Sequence, residues 1–92
     1  IRFTQLLYMT AIEILGLVAG TITSITFLPQ VIRIWKTKSA KDLSINMLLL
    51  LMVGVSMWLA YGIFQKDAAI IYTNSMVLLM GLLMLYFKFK FK

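Results

Sequence analysis

Cysteine and histidine do not occur in this chain of 92 residues. Their absence excludes disulfides, thiolate and imidazole metal sites, and nucleophilic devices built on a Cys/His or Ser/His pair. Acidic residues are scarce too: Glu13, Asp42 and Asp67 are the whole set, against nine lysines and arginines. No phosphate-cradling loop, no pair of neighbouring carboxylates and no nucleic-acid motif is present, so the chain reads as a non-enzyme without metal or cofactor. Proline occurs once, at Pro29.

What fills the chain instead is apolar. Hydrophobic residues make up 62% of it and charged residues 13%. A soluble domain of this size could not cover so much apolar surface, which makes lipid the expected solvent. Three runs are free of charge, 14–32, 43–65 and 68–87. Crossing ~30 Å of hydrocarbon takes ~20 apolar residues, and each run qualifies. Backbone polar groups in lipid must be paired internally, and a closed barrel would need far more chain. The reading is an all-α membrane protein. Its single domain over 1–92 is a bundle of three transmembrane helices at about 11–35, 43–64 and 68–87. Residues 1–10 carry Arg2 and no small-residue cleavage site follows them, so they are not expected to be a removable leader.

The ends of the runs carry helix signals. Thr10-Ala-Ile-Glu13 fits a capping box, with Glu13 favoured near the positive end of the helix dipole; a proton-coupling role for Glu13 is the other reading. Asp42 or Ser44 can cap the second helix and Asp67 the third. Gln65-Lys66-Asp67 is so short a connection that the second and third helices must be antiparallel neighbours. Arg33, Lys36, Lys38 and Lys41 fall between the first two helices and Lys88, Lys90 and Lys92 after the third, while Arg2 and Lys66 lie on the other side. The positive-inside rule then puts the first loop and the C-terminus in the cytoplasm and the N-terminus outside. It also explains the net charge of +6 without nucleic acid. The alternating Lys88-Phe-Lys-Phe-Lys92 tail reads as an anchor on anionic lipid.

Pro29 removes a backbone donor and clashes with the carbonyl of Ile25, so the first helix should kink or loosen there. Gln30 beside it should meet another helix, a backbone group or water, because an amide facing lipid is costly. A gating hinge and a static kink are both open. Gly16, Gly20 and Ser24, spaced by four, form a row that lets another helix approach closely, and Gly54 and Gly62 read the same way. Trp35 reads as an interfacial anchor. Trp58 and Asn74 fall on antiparallel helices at one depth, ~9 Å from their shared end at ~1.5 Å per residue. An indole face and a carboxamide at one level suit a polar ligand. A buried asparagine bonded to a neighbouring helix, with the tryptophan as packing, is the alternative.

The series Phe27-Leu-Pro-Gln30, Lys36-Thr-Lys-Ser-Ala-Lys-Asp-Leu-Ser44, Trp58-Leu-Ala-Tyr-Gly62 and Asn74 resembles the bacterial SemiSWEETs, half-size relatives of the SWEET sugar transporters in the PQ-loop group. The resemblance runs over about 13–86. It implies a triple-helix bundle in the order 1-3-2, the third helix between the other two. Two bundles would associate as a parallel homodimer, with the substrate on the two-fold axis; the parallel-repeat arrangement of SWEETs is an established example of its kind. It implies Trp58 and Asn74 as the sugar-binding pair, Pro29 and Gln30 as the motif that flexes, and Tyr61 with Asp67 at the outer gate. Where the gate's basic partner is expected the chain has Gln65, with Lys66 one position later. The function implied is uniport of a mono- or disaccharide of the glucose or sucrose class by alternating access across a bacterial inner membrane. No Asp, Glu, Lys or Arg lies mid-span, which fits a neutral substrate and no proton relay. A PQ-loop carrier of amino acids or another small solute, or a non-transporting membrane subunit, is the alternative.

Overall fold

A computed structural model describes residues 3–92, with side chains at Leu7 and from Thr10 onward. Arg2, counted above on the outer side, lies outside the described residues. The elements are α1 (Phe3–Ile25), α2 (Leu28–Thr37), α3 (Ile45–Gln65) and α4 (Ala68–Phe91). Three stretches are long and apolar enough to cross a membrane: Thr10–Thr37, which joins α1 and α2, then Ile45–Gln65 and Ala68–Phe91. We call the end near Lys66 the turn end and the opposite one the basic end.

The first span is interrupted where its proline predicts, at two residues rather than by a bend alone. α1 stops at Ile25, and Thr26 and Phe27 form a turn closed by Thr26 N–H to the Thr23 carbonyl (3.2 Å) and Phe27 N–H to the Ser24 carbonyl (3.1 Å). Pro29 then falls in the first turn of α2, where a missing N–H leaves no hydrogen bond unmade. One expectation fails at the other end. Thr10 and Glu13 do not mark a helix start, because the chain is helical from Phe3 and runs straight through them. Residues 3–9 are mostly apolar and hold neither glycine nor proline, so nothing in them stops the helix.

The other caps form. Ser44 Oγ accepts from Met47 N–H at 3.2 Å and Asp67 Oδ1 from Ile70 N–H at 3.1 Å. Three lysines close helices in the left-handed region, Lys38 at φ 55° after α2, Lys66 at φ 54° after α3 and Lys92 at φ 51° after α4. That conformation costs a side chain something relative to glycine, and a cation at a helix C-terminus offsets part of it.

α4 is the middle of the bundle. It packs against α1, α2 and α3, whereas α1 and α3 make no backbone approach to each other among the described residues. This is the 1-3-2 order of spans. Small residues set the seams. A Cβ on Gly16 would sit 2.8 Å from that of Ala69, one on Gly20 would strike the Thr73 side chain, and one on Gly62 would sit 2.6 Å from Ile70. The Thr21 and Tyr72 hydroxyls bond across the α1–α4 seam at 2.9 Å. Gly54 is the exception to the packing reading: nothing lies within 4 Å of where its Cβ would be.

The densest packing sits at the basic end, where Val31, Ile34, Ala40, Leu48 and Met84 are buried together. Much of the rest of the apolar surface is open, as expected of a chain that meets lipid. The seams predict a contrast. Gly20→Leu should lower unfolding stability in detergent by about 1–3 kcal/mol, the usual range for overpacking. Gly54→Ala should leave the midpoint unchanged or slightly higher, since alanine favours helix.

Candidate functional site

Gly54, Met57, Trp58 and Tyr61 fall at helical spacing, so α3 presents them on one face. Together they line an open recess of about 470 Å³. Trp58 is 57% exposed and Tyr61 50%, and their rings meet edge to face, 5.5 Å apart at 85°. The contact holds the two rings against each other, and at Gly54 the same recess has no side chain. Gly54 was read from the sequence as a packing residue. Its distance of four from Trp58 and seven from Tyr61 was the available signal that it shares their face.

Asn74 stands half-buried on α4, and its Nδ2 donates to the Ile70 carbonyl at 2.9 Å. Its Oδ1 keeps its acceptor capacity. Within one chain Asn74 does not line the Trp58 recess. Trp58 and Tyr61 are thus brought together, while Asn74 belongs to the neighbouring helix.

Gln30 is exposed and lines a recess of about 220 Å³ with Arg33, Ser39 and Asp42, so its amide lies beside polar groups. Arg33 and Asp42 pair there at 3.8 Å. Among the described residues this is the one ion pair. Tyr61 is one turn from the end of α3, and Lys66 and Asp67 make the turn beyond it. Lys66 and Asp67 border a third recess, of about 450 Å³, which also receives Glu13 and Gly16 from α1, Gln65 from the end of α3 and Ala69 from α4. Asp67 is engaged as the cap of α4, and no contact joins it to Lys66.

The basic loop is tied down more firmly than its composition suggests. Lys88 Nζ donates to the buried Ala40 carbonyl at 2.9 Å. The Lys38 ammonium lies 5.1 Å from the Trp35 ring and 5.3 Å from that of Phe91. Read from sequence, Lys88 belonged to a lipid anchor and Trp35 to an interfacial belt; the structure adds a clamp between α4 and the loop.

Fold and site thus define a multi-pass, three-helix membrane protein with an aromatic recess on its second span. The family model described as "PQ loop repeat" matches residues 11–71. The sugar transporter SemiSWEET of Leptospira biflexa is 40% identical over 76 residues, covering 83% of this chain and 89% of that one. The protein of the same name from Bradyrhizobium diazoefficiens is 37% identical over 70 residues, covering 76% and 81%. The crystal structure of a bacterial homologue of SWEET transporters superposes with a TM-score of 0.83 at 32% identity, over 87% of this chain and 96% of that one. The chain belongs to the PQ-loop family, among its SemiSWEETs.

The clamp yields a test. Replacing Lys88 with Met keeps the apolar stem and removes the donor. Hydrogen bonds from charged groups contribute about 1.5–3 kcal/mol, so unfolding stability should fall by roughly that amount. Amide exchange should quicken across residues 37–44, and a Lys88→Arg chain should retain most of the protection.

Proposed function

We propose that this protein carries sugars across the membrane by facilitated diffusion, as a parallel dimer with the substrate held on the two-fold axis. The observation that carries the reading is the open aromatic recess on α3, in a chain whose relatives are named sugar transporters. A sugar ring has an apolar C–H face that an indole can cover and hydroxyls that a carboxamide can bond. Trp58 supplies the first and Asn74 the second, one of each from either protomer. One chain leaves the recess open on one side, and a second copy supplies the missing wall.

Pro29 and Gln30 flex as the path opens at alternate ends, with the turn at Thr26 and Phe27 as pivot. Tyr61 closes the outer end, assisted by charged groups at Lys66 and Asp67. No ionisable side chain lies at mid-span, so the movement is downhill and reversible for a neutral solute of the glucose or sucrose class. The charge distribution favours a bacterial inner membrane with the basic end cytoplasmic and the turn end outside. Gln65→Cys should accordingly react with an impermeant thiol reagent in intact cells, and Lys41→Cys only after permeabilisation.

The decisive measurement is uptake of labelled glucose and sucrose by liposomes holding the purified chain. Trp58→Ala and Asn74→Ala should each cut saturable uptake by about ten-fold or more. Burial of an aromatic face contributes about 1.5–3 kcal/mol, and ~1.4 kcal/mol is a factor of ten. Trp58→Phe should recover part of it. Saturable amino-acid uptake without sugar uptake would overturn the substrate assignment.

A further inference from the structure

The basic end carries a row of rings and cations for which the transport reading has no use. The Lys38 ammonium lies against Trp35 of α2 and Phe91 of α4, 5.1 and 5.3 Å from their ring centres. The Lys90 ammonium lies against Phe91 and Tyr86, at 5.5 and 5.7 Å. Trp35, Lys38, Phe91, Lys90 and Tyr86 thus alternate as ring and cation across the seam from α2 to α4, and two ammoniums share the Phe91 ring.

The row has no counter-charge. Asp42 pairs with Arg33, and Glu13 and Asp67 belong to the turn end. Among the described residues no ion pair includes Lys38 or Lys90. A ring face attracts cations and offsets part of the repulsion between two of them, but it carries no net charge. Lys38 also occupies a backbone position that suits glycine, at φ 55°. Glycine would close α2 at less cost and leave the row one cation short.

The neighbouring rings identify the anion. Trp35, Tyr86 and Phe89 are all more than half exposed near the ends of their spans. Indole and phenol rings in such places sit at the level of lipid headgroups. Ammoniums packed against them sit at that level too, beside phosphates.

We propose that Lys38 and Lys90 form a site for the phosphate of one anionic phospholipid, with Trp35 and Tyr86 against its acyl chains. The bound lipid staples the end of α2 to α4 from the membrane side, as Lys88 holds the loop from within through Ala40. The site is narrower than attraction of the whole basic end to an anionic surface. Lys36 and Lys92 make no ring contact among the described residues and lie outside it. It needs neither a second copy nor a sugar, so it stands apart from the transport reading.

The chain has two tryptophans, so Trp58→Phe leaves Trp35 as the sole indole reporter. This chain is placed in phosphatidylcholine vesicles. Phosphatidylglycerol brominated high on its acyl chains should quench Trp35 saturably at a low mole fraction, and brominated phosphatidylcholine at the same fraction should quench it several-fold less. On this background Lys38→Gly and Lys90→Gln should each weaken the preference for phosphatidylglycerol by about five-fold or more, the contribution of one lysine at an anionic surface. Phe91→Leu keeps every charge and should still weaken it by about two-fold or more. Lys36→Gln and Lys92→Gln should change it by less than about two-fold. Lys38→Gly removes a left-handed side chain, so a lost preference with unchanged or raised thermal stability in detergent marks a lost site in an intact fold. Equal effects from all four lysines would reduce the site to general charge attraction and overturn it. Equal quenching by the two lipids, or a preference unmoved by Lys38→Gly, would do the same. Relief of the quenching by soluble glycerol phosphate would overturn the phospholipid as occupant.

Discussion

Everything in this bundle depends on how closely α4 lies against its two neighbours. Three spans of this length give three possible seams, and among the described residues only those with α4 are made. Gly16 and Gly20 bring α1 against Ala69 and Thr73, and Gly62 brings α3 against Ile70. In lipid no hydrophobic force drives helices together, so association depends on close packing and interhelical hydrogen bonds. The Thr21–Tyr72 bond adds one directional contact to the α1 seam. Because both outer helices are committed to α4, the faces they turn toward each other stay free.

The two ends of the chain are unequal in rigidity. At the basic end side chains interlock: Leu48 and Met84 are the most buried large residues, and Lys88 holds the loop through Ala40. At the turn end the contacts are backbone-close but small. Between them lies the break at Thr26 and Phe27, which makes α2 part of the interlocked unit and leaves α1 an arm. An arm seated on a glycine row can shift with few side chains to repack. A helix set in a close-packed core cannot, because dense interiors deform in discrete steps.

The three spans were legible because charge interrupts the apolar runs at Arg33, Asp42, Lys66 and Asp67 and at few other places. Asp67 and Ser44 were legible as caps because each directly precedes an apolar run. The Thr10–Glu13 motif misled because a capping pattern marks a start only if the chain before it cannot be helical, and residues 3–9 can. Pro29 announced a disturbance, but the split into two helices depends on the turn bonds of Thr23 and Ser24, which no residue pattern specifies. Lys88 looked like its neighbours Lys90 and Lys92; that it reaches a carbonyl 48 positions away is a product of tertiary packing. Trp58 and Tyr61 share a face by simple arithmetic, whereas the relation of Asn74 to them depends on the rotation of α4 about its axis, which spacing does not fix.

The same spacing bears on the proposed dimer. Trp58 and Tyr61 carry an indole N–H and a phenol, and both rings are at least half exposed on a helix meant for lipid. Acyl chains offer these groups no partner, and a donor left unpaired in hydrocarbon is costly. Water or a second polar surface must therefore meet the recess. A second copy related by a two-fold axis presents the same groups in return, and an isologous contact needs no surface beyond the one already present. In the proposed dimer two shallow recesses facing each other would become one enclosed cavity, with indole faces on opposite sides. The empty space above Gly54 would then lie inside the proposed path, where a solute could occupy it. A face that packs poorly within one chain and suits lipid badly is the face on which the proposed second copy would leave the fewest polar groups unpaired.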